Sequence, residues 1–239
     1  MDSTNSRRIA KNTIVLYLRL IITMIINLYI VRVVVKALGA EDYGIFNVVA
    51  GVVTMLSCVT SILSSSIQRF YSFSIGENNF EKFNKIFVSS IDLVSIFIFV
   101  VFIIAETLGL WLVNNILVVP PEKIINANWV FQSSILVFII SLIQIPFLSA
   151  IIAHEKMNIF AIVTALECVL KLIFASSLNL FADNRLVLYG VGLFLSHLIC
   201  FFIYAQFLKG AYAKSIKYTP TTNTQFNMIE TINKPICSP

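Results

Sequence analysis

Charge is scarce in this chain of 239 residues: Asp, Glu, Lys and Arg make up 12%, about half of what a soluble domain carries. Glycine (8) and proline (6) are too few for a low-complexity linker or a fibrous repeat. The four cysteines, Cys58, Cys168, Cys200 and Cys237, show no C-x-x-C spacing, and the first three fall within apolar runs. That excludes a zinc ribbon and a disulfide frame and leaves small buried hydrophobes. What is plentiful is apolar surface. Hydrophobic residues reach 58%, Phe alone occurs 20 times, and mean hydropathy is +0.90. A soluble enzyme and a disordered tail are both excluded by such a composition; a polytopic membrane protein is not. The net charge of +5 sits in short loops between apolar runs, so it reports topology and no nucleic-acid partner.

Six apolar segments, 14–35, 43–66, 86–112, 129–152, 159–181 and 186–208, each reach the roughly 20 residues that cross a bilayer as a helix. Backbone groups in hydrocarbon must be paired within the element, and these runs are apolar on all faces, so helices and not barrel strands are predicted. The sequence therefore predicts an all-α membrane protein: a six-transmembrane-helix bundle over 1–208 and a polar cytoplasmic tail over 209–239. No length remains for a soluble catalytic domain. His154-Glu155 starts an H-E-x-x-H pattern, but Asn158 stands where the second His belongs, so no zinc site is expected. No nucleophile constellation supports an enzyme.

Local signals mark the ends. Gly39 is placed to terminate the first helix in a left-handed cap, and Asp42 to cap the second. Asn78 with Glu81 predicts a cap before the third helix, where Phe80, Phe83 and Phe87 recur at helical spacing. Pro120 and Pro121 break the chain, and Pro146 predicts a kink. Ser64-Ser65-Ser66 and Gly190-x-Gly192 read as close-packing points. Basic residues gather at the N-terminus (Arg7, Arg8, Lys11), after the second span (Arg69, Lys82, Lys85), after the fourth (Lys156) and after the sixth (Lys209, Lys214, Lys217). The opposite loops hold only Lys36, Lys123 and Arg185, which puts both termini in the cytoplasm. Trp111, Trp129, Tyr43 and Tyr189 then fall at the outer interface. Ser6-Arg7-Arg8 resembles a twin-arginine signal, but the long run behind it lacks a cleavage site and reads as a retained first helix.

Ionisable residues inside the spans are the candidate functional groups: Arg19, Arg32, Asp92, Glu106, Glu167, Lys171 and His197. Each charge costs about 2.5–3.5 kcal/mol at a bilayer centre, so they must pair or line a wet cavity. At about 1.5 Å per residue, Arg19 and Asp92 lie at one depth and Arg32 and Glu106 at another, which predicts two ion pairs between helices one and three. Glu167 and Lys171 are four apart on one helical face. The short 182–185 connection brings His197 beside them, predicting a Glu167–Lys171–His197 cluster.

The segment Arg32 through Asn47 resembles the first outer turn of bacterial polysaccharide-biosynthesis flippases. So do Gln68-Arg69-Phe70, Ala105 through Trp111, Ala127-Asn128-Trp129-Val130, and above all Gln144-Ile145-Pro146 through Asn158. The chain is similar to the N-terminal half of the lipid-linked oligosaccharide branch of the multidrug/oligosaccharidyl-lipid/polysaccharide exporter superfamily. The resemblance implies one lobe of a two-lobe exporter in the bacterial inner membrane. It implies translocation of undecaprenyl-diphosphate-linked oligosaccharide, with cationic cavity residues meeting the anionic substrate. A proton or sodium gradient would drive it, without a cofactor. The half length predicts an incomplete carrier that needs a second lobe or self-association, with Phe226 through Glu230 as the start of a linker helix. The alternatives are a cation-coupled drug antiporter of the same superfamily and a non-transporting membrane scaffold or remnant.

Overall fold

The computed structural model describes residues 3–77, 79–117, 119–178 and 184–212, and among them every regular element is helical. The order is α1 (Ser3–Thr54), α2 (Ser57–Gly76), α3 (Phe80–Ile104), α4 (Leu110–Asn115), α5 (Ile124–Ala153), α6 (Met157–Ser177) and α7 (Arg185–Tyr212). A π-helical turn, Ala105–Gly109, joins α3 to α4, and a 3-10 turn, Pro121–Lys123, leads into α5. Five stretches are long and apolar enough to cross a membrane: Thr13–Thr54, Phe80–Asn115, Pro121–Ala153, Met157–Ser177 and Arg185–Leu208. The chain is a multi-pass membrane protein whose surroundings are a lipid bilayer.

The second expected span is the one the fold divides. The predicted run 43–66 is split at a turn over Met55 and Leu56, so its first part ends α1 and its second part begins α2. Leu56 N–H bonds to the Val53 carbonyl, three residues back, which tightens the ladder locally. The Thr54 hydroxyl takes the Gly51 carbonyl at 2.8 Å, and Thr60 and Ser61 both take that of Ser57. Hydroxyls competing for backbone carbonyls, beside a helix-weakening glycine, account for the break. The Ser-rich α2 is not among the stretches apolar enough to cross, and it carries Gln68-Arg69-Phe70 inside the helix.

α5 is the central helix, packed against α1, α2, α3, α6 and α7. It shows no polar face, and fourteen of its thirty residues are buried, as expected for a core helix, while Ile125, Trp129 and Leu136 stay exposed. Val130, Phe131, Ile135, Leu142 and Ile151 are all essentially buried. α1 lies on α6 and α5, and its outer face is a continuous apolar surface from Ile14 through Tyr29 that suits acyl chains. Pro146 is buried inside α5, which runs unbroken from Ile124 to Ala153.

Close approach depends on small side chains. A Cβ on Gly192 would lie 2.8 Å from the Cβ of Phe174 on α6, and one on Gly190 would lie 3.1 Å from Ser133 Cβ on α5. Ser149 Oγ on α5 donates to the Ser64 carbonyl of α2 at 3.3 Å. Membrane helices lack a hydrophobic drive toward one another, so such contacts hold them together. Cys168 and Cys200 are buried as expected, whereas Cys58 is exposed. Cys237, Lys214, Lys217 and the Phe226–Glu230 segment lie outside the described residues. Trp111 and Trp129 are exposed rings, but Tyr189 is buried edge-on against Phe46, with centroids 4.9 Å apart, and belongs to the core.

Two end signals are shifted. The cap of α3 is Asn79, whose Oδ1 accepts the Lys82 N–H at 2.9 Å; the expected Asn78 lies outside the described residues. Asn79→Ala should cost about 1 kcal/mol. Amide exchange over residues 80–83 should speed up while that of α5 stays unchanged; equal protection in the variant would reject the capping role. Asp42 is engaged by Lys123 Nζ at 2.6 Å, with Glu41 at 3.1 Å, and so ties the start of the second helical segment to the start of α5. Outside the spans, burial and then the Lys156 charge lower the pKa of His154, which stays neutral and sits edge-on to Phe83.

Candidate functional site

The expected three-residue cluster is present. Lys171 Nζ contacts Glu167 Oε1 at 2.6 Å, and His197 Nε2 approaches the same oxygen at 3.5 Å. One turn of α6 sets the first contact, since residues four apart share a face. The packing of α6 on α7 sets the second. All three side chains are about four-fifths covered: exposures are 19% for Glu167, 23% for Lys171 and 16% for His197. The backbone around the imidazole is anchored too, because Gln144 Nε2 of α5 donates to the His197 carbonyl at 3.0 Å. His197 Nδ1 is buried without a hydrogen-bond partner.

Arg19 joins this group from α1. Its guanidinium carbon stands 4.2 Å from the centroid of the Phe160 ring on α6, a cation–π contact. Phe160 lies two helical turns, about 10 Å, before Glu167. Cys168, the residue after Glu167, is buried. Thr164 Oγ1 of α6 donates to the Phe160 carbonyl at 2.7 Å, and Tyr204 of α7 is buried. Arg19 Nε is buried and makes no hydrogen bond. With two cations and one carboxylate, the α1–α6–α7 seam carries an excess of positive charge.

The two predicted ion pairs between helices one and three do not form. Arg19 faces α6, away from Asp92, which is half-buried on α3 and has no ion pair among the described residues. Arg32 is exposed, and Glu106 accepts a hydrogen bond from Gln132 Nε2 of α5 at 3.2 Å. The reason is the placing of α5. It takes the centre of the bundle, with α3 packing on α2 and α5 and α1 on the other side. Equal depth is thus not adjacency.

Two clefts accompany the charges. One of about 360 Å³ opens where α1 ends and α2 begins, lined by Asn47, Thr54, Ser57, Ser134 and Ser141 among apolar residues of α1, α5 and α7. Asn47, Ser134 and Ser141 bond to carbonyls four residues back on their own helices, which keeps these polar groups tolerable beside lipid. A second cleft, also about 360 Å³, lies between α4 and α5 and is lined by Leu110, Asn114, Ile125, Asn128, Trp129 and Gln132. The amides of these clefts escaped the sequence reading, which weighed charges alone. The spacing of Asn128 and Gln132, four apart at the head of an apolar helix, was the available signal. Among the described residues no group of His, Cys, Asp and Glu is arranged to hold a metal ion.

In comparisons with known proteins, the chain matches no family model, no curated protein and no solved structure.

Proposed function

We propose that this chain is one lobe of a lipid-linked oligosaccharide flippase of the bacterial inner membrane, moving an undecaprenyl-diphosphate-linked sugar between leaflets with a second lobe or copy. The observation that carries the reading is the cationic seam: Arg19 and Lys171 against Glu167, held inside an apolar bundle. A diphosphate crossing hydrocarbon needs fixed positive charge and polar lining, and a guanidinium suits phosphate by its fork geometry. The polar cleft at the α1–α2 break supplies hydroxyl and amide groups on one wall. In this reading the chain crosses six times, the second crossing being divided between the end of α1 and α2. Both termini are cytoplasmic, as the loop charges favour. The antiporter reading fits less well, because Lys171 already occupies the Glu167 carboxylate that a cation would need.

The test is leaflet exchange of a fluorescent undecaprenyl-diphosphate disaccharide in vesicles, with the chain alone and as a tandem fusion of two copies. The tandem should exceed protein-free vesicles, and Arg19→Ala should slow it at least about tenfold, the worth of one charged hydrogen bond. Exchange no faster than in protein-free vesicles for both forms would reject the flippase reading.

A further inference from the structure

α1 is the least covered of the five crossing stretches: 6% of its apolar window is buried, against 17% or more in each of the others. Up to Ile30 the bundle touches it along one edge, through Leu16, Arg19, Thr23, Ile26 and Ile30. Beside that edge Tyr17, Leu20, Met24, Asn27 and Val31 are all exposed. Their spacing alternates three and four residues, the a/d seam of a left-handed helix pair, and the seam runs about 21 Å through the membrane.

Asn27 is out of place in such a seam. It lies near the middle of the leg between Ile14 and Gly39, about 20 Å from Ile14. Other polar side chains of the spans satisfy themselves: Asn47, Asn114 and Asn115 donate to the carbonyl four residues back, and Thr23 to that of Leu20. The Asn27 amide makes no hydrogen bond to any described residue. An unpaired amide in hydrocarbon is costly, and this side chain is too short to reach the headgroups as a Lys or Arg would.

We propose that this seam pairs with the same seam of a second copy of the chain, and that the two Asn27 amides hydrogen-bond to each other at its centre. Two arguments select a second copy over another occupant. Copies of one sequence insert in the same orientation, so their twofold axis stands along the membrane normal and sets each seam residue against itself at one depth. A carboxamide holds both a donor and an acceptor, so at such an axis Asn27 satisfies itself without any other residue. A single Asn in an apolar seam also fixes register and the number of strands. Arg32 follows Val31 and is turned about 100° off the seam, so the two guanidiniums do not meet. The pairing does not rest on the flippase reading.

Donor- and acceptor-labelled copies are reconstituted together in lipid vesicles over a range of protein-to-lipid ratios, and energy transfer is measured. Wild type should show saturable transfer that falls on dilution and is linear in acceptor fraction, as a dimer requires. Asn27→Leu should raise the dissociation constant at least about fivefold, the worth of one interhelical polar contact. Asn27→Gln keeps the donor and the acceptor and should stay within about twofold of wild type. Met24 and Ile25 are neighbours of nearly equal exposure, 60% and 62%, so contact with lipid alone does not distinguish them. Met24→Ala should weaken the pair and Ile25→Ala should not. These side chains face outward, so circular dichroism should be unchanged in every variant. A monomer at all ratios, undiminished pairing in Asn27→Leu, or equal losses in Met24→Ala and Ile25→Ala would each overturn the seam.

Discussion

Glu167→Leu should destabilise the folded bundle by about 3 kcal/mol, the lower end of what breaking a buried ion pair costs, because a fifth of the pair remains open. The loss comes from the cation left behind. Lys171 would keep its charge in an apolar seam with no carboxylate at 2.6 Å, and His197 would lose the oxygen it faces at 3.5 Å. The double variant Glu167→Leu/Lys171→Met removes both charges and should recover the stability or exceed the wild type, as hydrophobic replacements of buried pairs do. Reversible unfolding in mixed micelles measures all three proteins. A single variant as stable as the parent would show that the pair is effectively solvated. The same set separates packing from transport: if the seam meets phosphate, the double variant is stable yet slow in leaflet exchange. A double variant that is stable and as fast as wild type would confine Glu167 and Lys171 to a structural role.

The cluster was legible in the sequence for definite reasons. Glu167 and Lys171 are four apart on one helix, and the short connection, expected at 182–185 and lying between Ser177 and Arg185, keeps the next helix beside it. Both facts are local. The failed pairings, Arg19 with Asp92 and Arg32 with Glu106, needed the lateral order of helices, which depth along the membrane normal does not contain. α5 is apolar all round, and this predicts burial without saying which helices it separates. Arg19 met an aromatic ring in place of a carboxylate, an outcome that a search for opposite charges could not return. The break at Met55–Leu56 left a faint trace, Gly51 with Thr54, Ser57, Thr60 and Ser61, but a hydropathy window averages such residues away. The amide cleft was hidden for the same reason, since Asn114, Asn128 and Gln132 read singly as helix-end residues.

Gly39 is where the fold makes its sharpest demand on one residue. Its backbone has φ 85° and ψ 167°, positive as the expected cap requires but extended where a left-handed cap would be curled. That region is essentially closed to residues with a Cβ, and holding one there costs of order 1–3 kcal/mol. A Cβ at Gly39 would meet no atom within 4 Å, so the cost of Gly39→Ala is torsional and free of any clash. Gly39→Val adds a branched Cβ and should reach the top of that range, about 3 kcal/mol. The relaxed alternative is for residue 39 to become helical. Ser3–Thr54 would then be one straight rod of about 78 Å. Straightening would pull Asp42 from Lys123, a 2.6 Å contact, and the Ala37 carbonyl from the Arg185 guanidinium that bonds it at 3.0 Å. The corner is therefore held by two cross-links from the heads of α5 and α7, which oppose the straightening. Gly39→Val should lower thermal stability and increase the spin-label distance between positions 36 and 126. Gly44→Ala, also with open space around the added methyl but without positive φ, should do neither. Equal stability of Gly39→Val and wild type would mean that the turn is not required by the packed bundle.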